Sequence, residues 1–299
     1  MKYTNWMTAV KDEVKINKLV IPAAHNAGTK GVVKFGCCQD GTLYEQYQYG
    51  IREFGLFYRA KKGRLLLAHG MSTGSPLEAA LKDLSKVLQE SENEFFIIDL
   101  RQYADQKIGP FTLRYGDNGN MANALVEKYL KPEKYAYTDF DKIADITMGD
   151  LRKSGKKYLL RSPEKLYTGS RDFRIYDMWD KKIFGYKAEK FARVCTDFLD
   201  TETCEDFLWF QTQQTPNLGT ENGLKKWPRE LDGDLRPYFK GIIKRIADNP
   251  LYLEKINIIG GDFMTRDHMK VNAILSLNLA KNYIKEECVE EFKALIAED

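Results

Sequence analysis

Histidine is nearly absent from this chain. Only His25, His69 and His268 occur in 299 residues. Acid–base chemistry near neutral pH therefore has few imidazoles to draw on. Long apolar runs are missing too, and none approaches the ~20 residues of a membrane span. The first residues, Met1-Lys2-Tyr3-Thr4-Asn5-Trp6-Met7, lack the apolar segment of a signal peptide. The five cysteines, an odd number, show no metal-like spacing. The adjacent pair Cys37-Cys38 suits neither a zinc knuckle nor an easy disulfide. A reducing cytoplasm is the expected compartment, with secretion the alternative if a leader has been removed. Neither sign of charge is in large excess. A net charge of +3 without a basic tail gives no ground for a nucleic-acid partner. No internal repeat, low-complexity run or linker divides the chain, so one domain over residues 1–299 is expected.

What is present is an ordinary globular composition, 43% hydrophobic and 30% charged, with material for a large core. Two of the three histidines close apolar runs. Leu19-Val20-Ile21 is stopped by Pro22 and delivers His25 into the small residues Asn26-Ala27-Gly28-Thr29. Leu65-Leu66-Leu67-Ala68 delivers His69 to Gly70 in the same way. A buried strand hands a reactive side chain to an open rim by this pattern. Two imidazoles so presented suggest an acid–base pair. The alternative is a pair of strand-end histidines satisfied by backbone.

Further strands are expected at Ile51–Phe57, Glu94–Leu100, Lys157–Leu160, Phe207–Phe210 and Lys255–Ile259. Helices are expected from Ser75-Pro76-Leu77-Glu78 onward, at Met121–Leu130, at Leu235–Ala247 and at Val271–Ile284. Leu77, Leu81, Leu84 and Leu88 form one apolar stripe. Alternating strands and helices imply a parallel α/β sheet, and seven or eight such strands over this length imply a (β/α) barrel. The link between Phe57 and Leu65 is too short for a helical crossover and reads as a hairpin. Asp117–Asn120 and Pro216–Asn222 read as long loops.

Several segments occur together in a known order. They are Trp6-Met7, Leu19 through Thr29, Cys38-Gln39-Asp40-Gly41-Thr42-Leu43-Tyr44-Glu45-Gln46, Gly50-Ile51-Arg52 and His69-Gly70. In these the chain resembles the phosphatidylinositol-specific phospholipase C family in its X-domain form, closer to the bacterial single-domain members. The resemblance covers residues 5–103, and later matches are isolated strand ends. It implies an irregular (β/α)8 TIM barrel with a reduced set of helices. It also implies roles. His25 would be the general base on the inositol 2-hydroxyl, and His69 the general acid for the diacylglycerol oxygen. A cyclic inositol phosphate would form without a covalent enzyme intermediate. A carboxylate normally orients the base; Asp262, after the last strand, is the candidate, with a turn or cap carboxylate before Met264 as the alternative. Arg101 and Arg161, each ending a strand, correspond to basic residues that meet inositol hydroxyls and phosphate, or else form surface ion pairs.

The chain also departs from the family. Three positions after Gly-Ile-Arg an acidic residue is normal. Two beyond it stands arginine in metal-free members, or a second acidic residue in calcium-dependent ones. Here those positions are Gly55 and Phe57. Asn26 is the calcium-type residue beside the base, but a hard cation needs more charged oxygens than remain. No metal or other cofactor is expected, and calcium is disfavoured. The group that meets the phosphate is open, with Arg59, two further along the strand, a candidate.

Three functions stay in play. One is a phosphodiesterase acting on an inositol phospholipid or a related phosphorylated head group. Another is a catalytically weakened barrel that binds a phosphorylated ligand. The third is a phosphodiesterase for a different diester. Trp227, set among Lys225, Lys226 and Arg229 after the strand at Phe207, suits transient contact with an anionic membrane surface, or else packs inward.

Overall fold

The computed structural model describes residues 1–70, 72–103, 106–108, 111–113, 118–162, 165–178, 182–215, 221–223 and 226–297. The segment before His25 forms β1 (Ile21–Ala24), buried along its length; Pro22 lies inside the strand, paired with Ile259, and does not stop it. Helix α1 (Leu43–Gln48) follows. Thr42 and Glu45 close its first turn reciprocally, each accepting from the other's backbone N–H. Strand β2 (Glu53–Lys61) then turns back at Lys62-Gly63, both in left-handed backbone. Antiparallel β3 (Arg64–His69) follows, and β4 (Ser72–Pro76) pairs with it. The link too short for a helix is therefore a hairpin.

Helix α2 (Leu77–Glu90) buries the stripe of Leu77, Leu81, Leu84 and Leu88. Each such leucine contributes about 1.5–3 kcal/mol. The expected Ser75–Glu78 capping box does not form. Ser75 belongs to β4, whose pairing of Pro76 with Leu66 holds the backbone extended up to the helix, and Pro76 is the cap.

Beyond it come β5 (Phe96–Gln102) and the antiparallel pair β6 (Gln106–Ile108) and β7 (Phe111–Leu113). Helices α3 (Gly119–Leu130), α4 (Pro132–Tyr135) and α5 (Met148–Ser154) lead to β8 (Tyr158–Arg161). The two short strands β9 (Ser170–Arg171) and β10 (Ile175–Asp177) precede α6 (Ala188–Val194) and α7 (Phe198–Thr201). The chain ends with β11 (Phe207–Gln211), α8 (Pro228–Asp248), α9 (Pro250–Lys255), β12 (Ile258–Gly261), α10 (Met269–Ala280) and α11 (Val289–Ala297).

The sheet runs in the order β10-β11-β12-β1-β2-β5-β8-β9, with every neighbouring pair parallel. These eight strands curl into an open, irregular (β/α) barrel. Among the described residues no ladder joins β9 to β10, and no helix lies between β8 and β10. The set of helices is thus reduced where the strands are shortest.

Arg52 shows what the Gly-Ile-Arg segment does. It precedes β2 and is fully buried against Glu94 at 2.6 Å. Its guanidinium also donates to the carbonyls of Tyr3, Tyr47 and Ile51. Burial pushes the Glu94 carboxyl up to about 7, against the pull of Arg52. This arginine ties the N-terminal segment to the barrel floor, far along β2 from its open end.

Candidate active site

β1 and β12 are parallel neighbours, so the residues that follow them emerge side by side. The His25 N–H donates to the Gly261 carbonyl at 3.0 Å. In the buried space beyond, His25 Nδ1 lies 2.7 Å from Asp262 Oδ1. Gln39 fixes this junction. Its fully buried amide donates to the carbonyls of His25 and Gly261, each at 2.9 Å, and accepts from the Met264 N–H at 3.1 Å. Lys270 donates to the Asp262 carbonyl at 2.7 Å and pairs with Asp232. Asp262 therefore serves no helix cap; its side chain faces the imidazole.

The tautomer follows from these partners. Nδ1–H donates to the carboxylate, which leaves Nε2 as an acceptor. Asn26 Nδ2 donates to that Nε2 at 2.9 Å. Asn26 reaches it from left-handed backbone, φ 49°, which a short amide tolerates.

His69, at the end of β3, stands across from His25, with ring centroids 6.0 Å apart and planes at 87°. Its Nδ1–H donates to the Gly36 carbonyl at 3.0 Å, so Nε2 is free of that bond. Burial lowers the His69 pKa, and the nearby His25 lowers it further; Gly36 and Asp262 act the other way. An anion arriving between the two rings favours protonated His69. The third histidine, His268, stacks between Tyr3 and Tyr49, centroids 3.9 Å and 4.4 Å away, and does not line this space.

Both imidazoles open on a cavity of about 460 Å³. Asn26 and Gly70 line it beside them. Opposite stand Phe57, Arg101 and Tyr103, and Asp177, Trp209 and Gln211 close the remaining wall. Arg101 ion-pairs with Asp99 at 2.5 Å, and its guanidinium lies 4.6 Å over the Phe57 ring. Arg161 reaches the same Asp99 at 3.1 Å, donates to the Phe173 carbonyl, and does not line the cavity. Arg59 is buried, donates to the Gly70 carbonyl at 3.3 Å, and does not line it either. The cavity thus brings His25, Asn26, His69 and Arg101 together, with Asp262 behind His25. Arg59 and Arg161 lie outside its wall.

Tyr103, Asp177, Trp209 and Gln211 were not singled out from the sequence, and Gln39 appeared there only within the resembling segment, with no role. Asp177 ends a strand of three residues, too short for a period to register. Trp209 sits mid-strand and reads as core. Gly260 and Gly55 make room for it: a Cβ on Gly260 would collide with the indole, and one on Gly55 would touch it at 3.6 Å. Trp209 thereby spans the barrel interior from β11 to β2.

Below the wall, Glu53 is fully buried, and neither carboxyl oxygen has a hydrogen-bond partner among the described residues. Burial, then the neighbouring Asp99, raise its pKa well above the usual carboxylate range. Cys38 is also buried, 3.6 Å from His69 Nδ1. Burial and the charge of Asp262 raise its thiol well above the ordinary value. His25, Cys38 and Asp262 place ligand-type atoms within 4.8 Å of one another. His25 Nδ1 and Asp262 Oδ1 are hydrogen-bonded to each other within this group.

The chain matches no protein-family model. Solved structures do match. A phosphatidylinositol-specific phospholipase C from Listeria monocytogenes superposes with a TM-score of 0.64. The match covers 93% of this chain and 99% of that one at 18% identity. A pentafluoro-Phe form of the Staphylococcus aureus phosphatidylinositol-specific phospholipase C gives 0.65 over 92% and 97% at 14% identity. A second structure of the S. aureus enzyme, concerned with modulation of its membrane binding, gives the same 0.65 at 14% identity over 92% and 97%. The chain has the fold of the bacterial phosphatidylinositol-specific phospholipases C.

Proposed function

We propose that this chain is a phosphodiesterase that cleaves an inositol phospholipid, or a related phosphodiester, by internal transfer. The observation that carries this reading is one cavity flanked by two imidazoles, one of them backed by a buried carboxylate at 2.7 Å. His25 Nε2 takes the proton of the inositol 2-hydroxyl while that oxygen attacks phosphorus. His69 Nε2 gives a proton to the departing diacylglycerol oxygen as its bond to phosphorus breaks. The products are a cyclic inositol phosphate and diacylglycerol, and the two histidines have exchanged protonation states. For His25 to act, the Asn26 amide must yield Nε2 to the substrate hydroxyl.

The reading needs no calcium. Gly55 and Phe57 offer no side-chain oxygen, and the Arg101 guanidinium already lies over Phe57. Contact with an anionic membrane surface is part of the proposal. Trp227, the cap of α8, is 46% exposed, which favours the interfacial reading over inward packing. Val33 and Phe35 are about as exposed, and the turn Lys34–Gly36 packs against α8. Arg229 ties the two segments together through Asp40 at 2.7 Å. Lys226 pairs with Asp234, and Lys225 lies outside the described residues. No described helix is long and apolar enough to cross a membrane.

A second reading, a barrel that binds a phosphorylated ligand with little turnover, draws on the Asn26 amide that occupies His25 Nε2. A fluorogenic inositol phosphodiester, assayed with and without chelator, separates the two. The proposal expects turnover in both conditions. Binding without turnover supports the second reading, and turnover restored only by calcium contradicts the metal-free mechanism.

A further inference from the structure

Phosphoryl transfer builds charge on the non-bridging oxygens, and a fixed cation or a row of donors must meet it. β2 supplies nothing of the kind at the cavity, because Phe57 lines it and Gly55, two residues earlier, has no side chain. β5 supplies what β2 lacks at the same height. In the parallel register of these strands Gly55 pairs with Asp99, and Phe57 pairs with Arg101. An Asp-x-Arg pair therefore stands directly beside the Gly-x-Phe pair, one strand over.

The side chains interlock as this register suggests. Arg101 carries the one permanent positive charge among the described residues that line the cavity. Asp99 is fully buried and holds Arg101 at 2.5 Å from one side and Arg161 at 3.1 Å from the other. Phe57 lies under the guanidinium at 4.6 Å and leans on Tyr103, centroids 5.3 Å apart. A guanidinium tethered by a carboxylate and laid on an aromatic face loses little freedom when it forks onto an anion. Its side chain is 28% exposed although Nε is buried, so part of the residue remains open to the cavity.

We infer that the phosphate clamp of this barrel is Arg101 on β5, with Asp99 as its tether and Phe57 as its platform. This rests on the phosphodiesterase reading above. Arg101 donates to a non-bridging oxygen of the diester held between His25 and His69. Phe57 is then a positioning residue that acts through Arg101, and an arginine in its place would displace the clamp.

Three variants test this: Arg101→Gln, Arg101→Lys and Phe57→Leu. The first readout is the rate ratio for the two phosphorothioate diastereomers of an inositol phosphodiester. A clamp on one non-bridging oxygen makes the wild type prefer one diastereomer. Arg101→Gln should lower the rate about 10²–10³-fold and erase the preference. Arg101→Lys should recover part of the rate but little of the preference, since a point charge replaces a fork. Phe57→Leu should lower the preference with its fold retained, as thermal unfolding would show. The second readout is calorimetric binding of inorganic phosphate in a His25→Ala background, which needs no turnover. Arg101→Gln should weaken it at least about tenfold. Undiminished rate and preference in Arg101→Gln overturn the clamp. So does equal phosphate binding, even if no phosphodiester is turned over and the catalytic reading fails by itself.

Discussion

Asp262→Asn is the substitution whose effect the geometry defines most closely. The carboxylate sits 2.7 Å from His25 Nδ1, and both side chains are buried. In the proposed mechanism His25 takes the substrate proton and becomes an imidazolium beside an aspartate. Two unit charges about 4 Å apart at an effective dielectric of about 20 attract by about 4 kcal/mol. Losing that attraction in the transition state lowers the rate by about three orders of magnitude. Asparagine keeps the shape but loses the charge, and its amide can turn either oxygen or NH2 to Nδ1, so the tautomer is no longer enforced either. Lys270 holds the main-chain oxygen at 2.7 Å and keeps Asp232 as its counterion, so the backbone should stay in place. Steady-state kinetics on an inositol phosphodiester should show kcat down about 10²–10³-fold with KM nearly unchanged. The melting temperature should match the wild type. A loss of less than about tenfold in a folded variant would refute the role given to this carboxylate.

Gln39→Leu removes three hydrogen bonds at the β1–β12 junction, and should cost about 1–3 kcal/mol in a denaturant titration and lower kcat as well. The lowered pKa of His69 implies that the alkaline limb of the free-enzyme kcat/KM profile falls below the ordinary histidine value. An aryl leaving group, which needs no acid, should flatten that limb; an unchanged limb would speak against His69 as the acid. Glu53 has its pKa raised in the fold, so the native state holds a proton that the unfolded chain releases as pH rises through the ordinary carboxylate value. Its contribution to stability is complete below that value and is lost as pH climbs towards its folded pKa. Glu53→Gln should therefore gain stability relative to wild type as pH rises from below to above the ordinary carboxylate value, read as melting temperatures; an equal difference on both sides of that value would contradict this. Trp227→Ala together with Phe35→Ala should weaken sedimentation with anionic phosphatidylinositol vesicles and leave turnover of a water-soluble substrate unchanged; equal sedimentation would remove the membrane-surface reading.

The parts legible in the sequence are those with a local physical cause. An apolar run that gives way to small residues or to Gly70 ends a strand, so the strand-end places of His25 and His69 were readable, although Pro22 lies inside β1 and does not stop it. The Phe57–Leu65 link was too short to be anything but a hairpin. Ser75-Pro76-Leu77-Glu78 misled because a capping box is a local signal, and pairing between β3 and β4 outweighs it. Long-range register left no local trace. That Gly55 faces Asp99 and Phe57 faces Arg101 depends on how β2 and β5 align. Read along β2 alone, those positions look like losses; read across the sheet, they adjoin a charge pair. Trp209 likewise resembles any core aromatic until Gly55 and Gly260 are seen to clear its path across the barrel. Arg52 and Gln46 carry much of the resemblance by which the family is recognised, yet both are scaffold. Gln46 donates to the carbonyls of Ala27 and Gly41, as Arg52 does to those around the barrel floor.

The most direct test of the account follows phosphorus itself. A phosphorus NMR time course with phosphatidylinositol vesicles should show a cyclic inositol phosphate as the first product of the wild-type protein. The same course with His25→Ala and with His69→Ala, each shown to be folded, should show almost none. A first product that is already acyclic, or cyclic product formed at the wild-type rate by either variant, would contradict the claim that these two histidines drive an internal transfer.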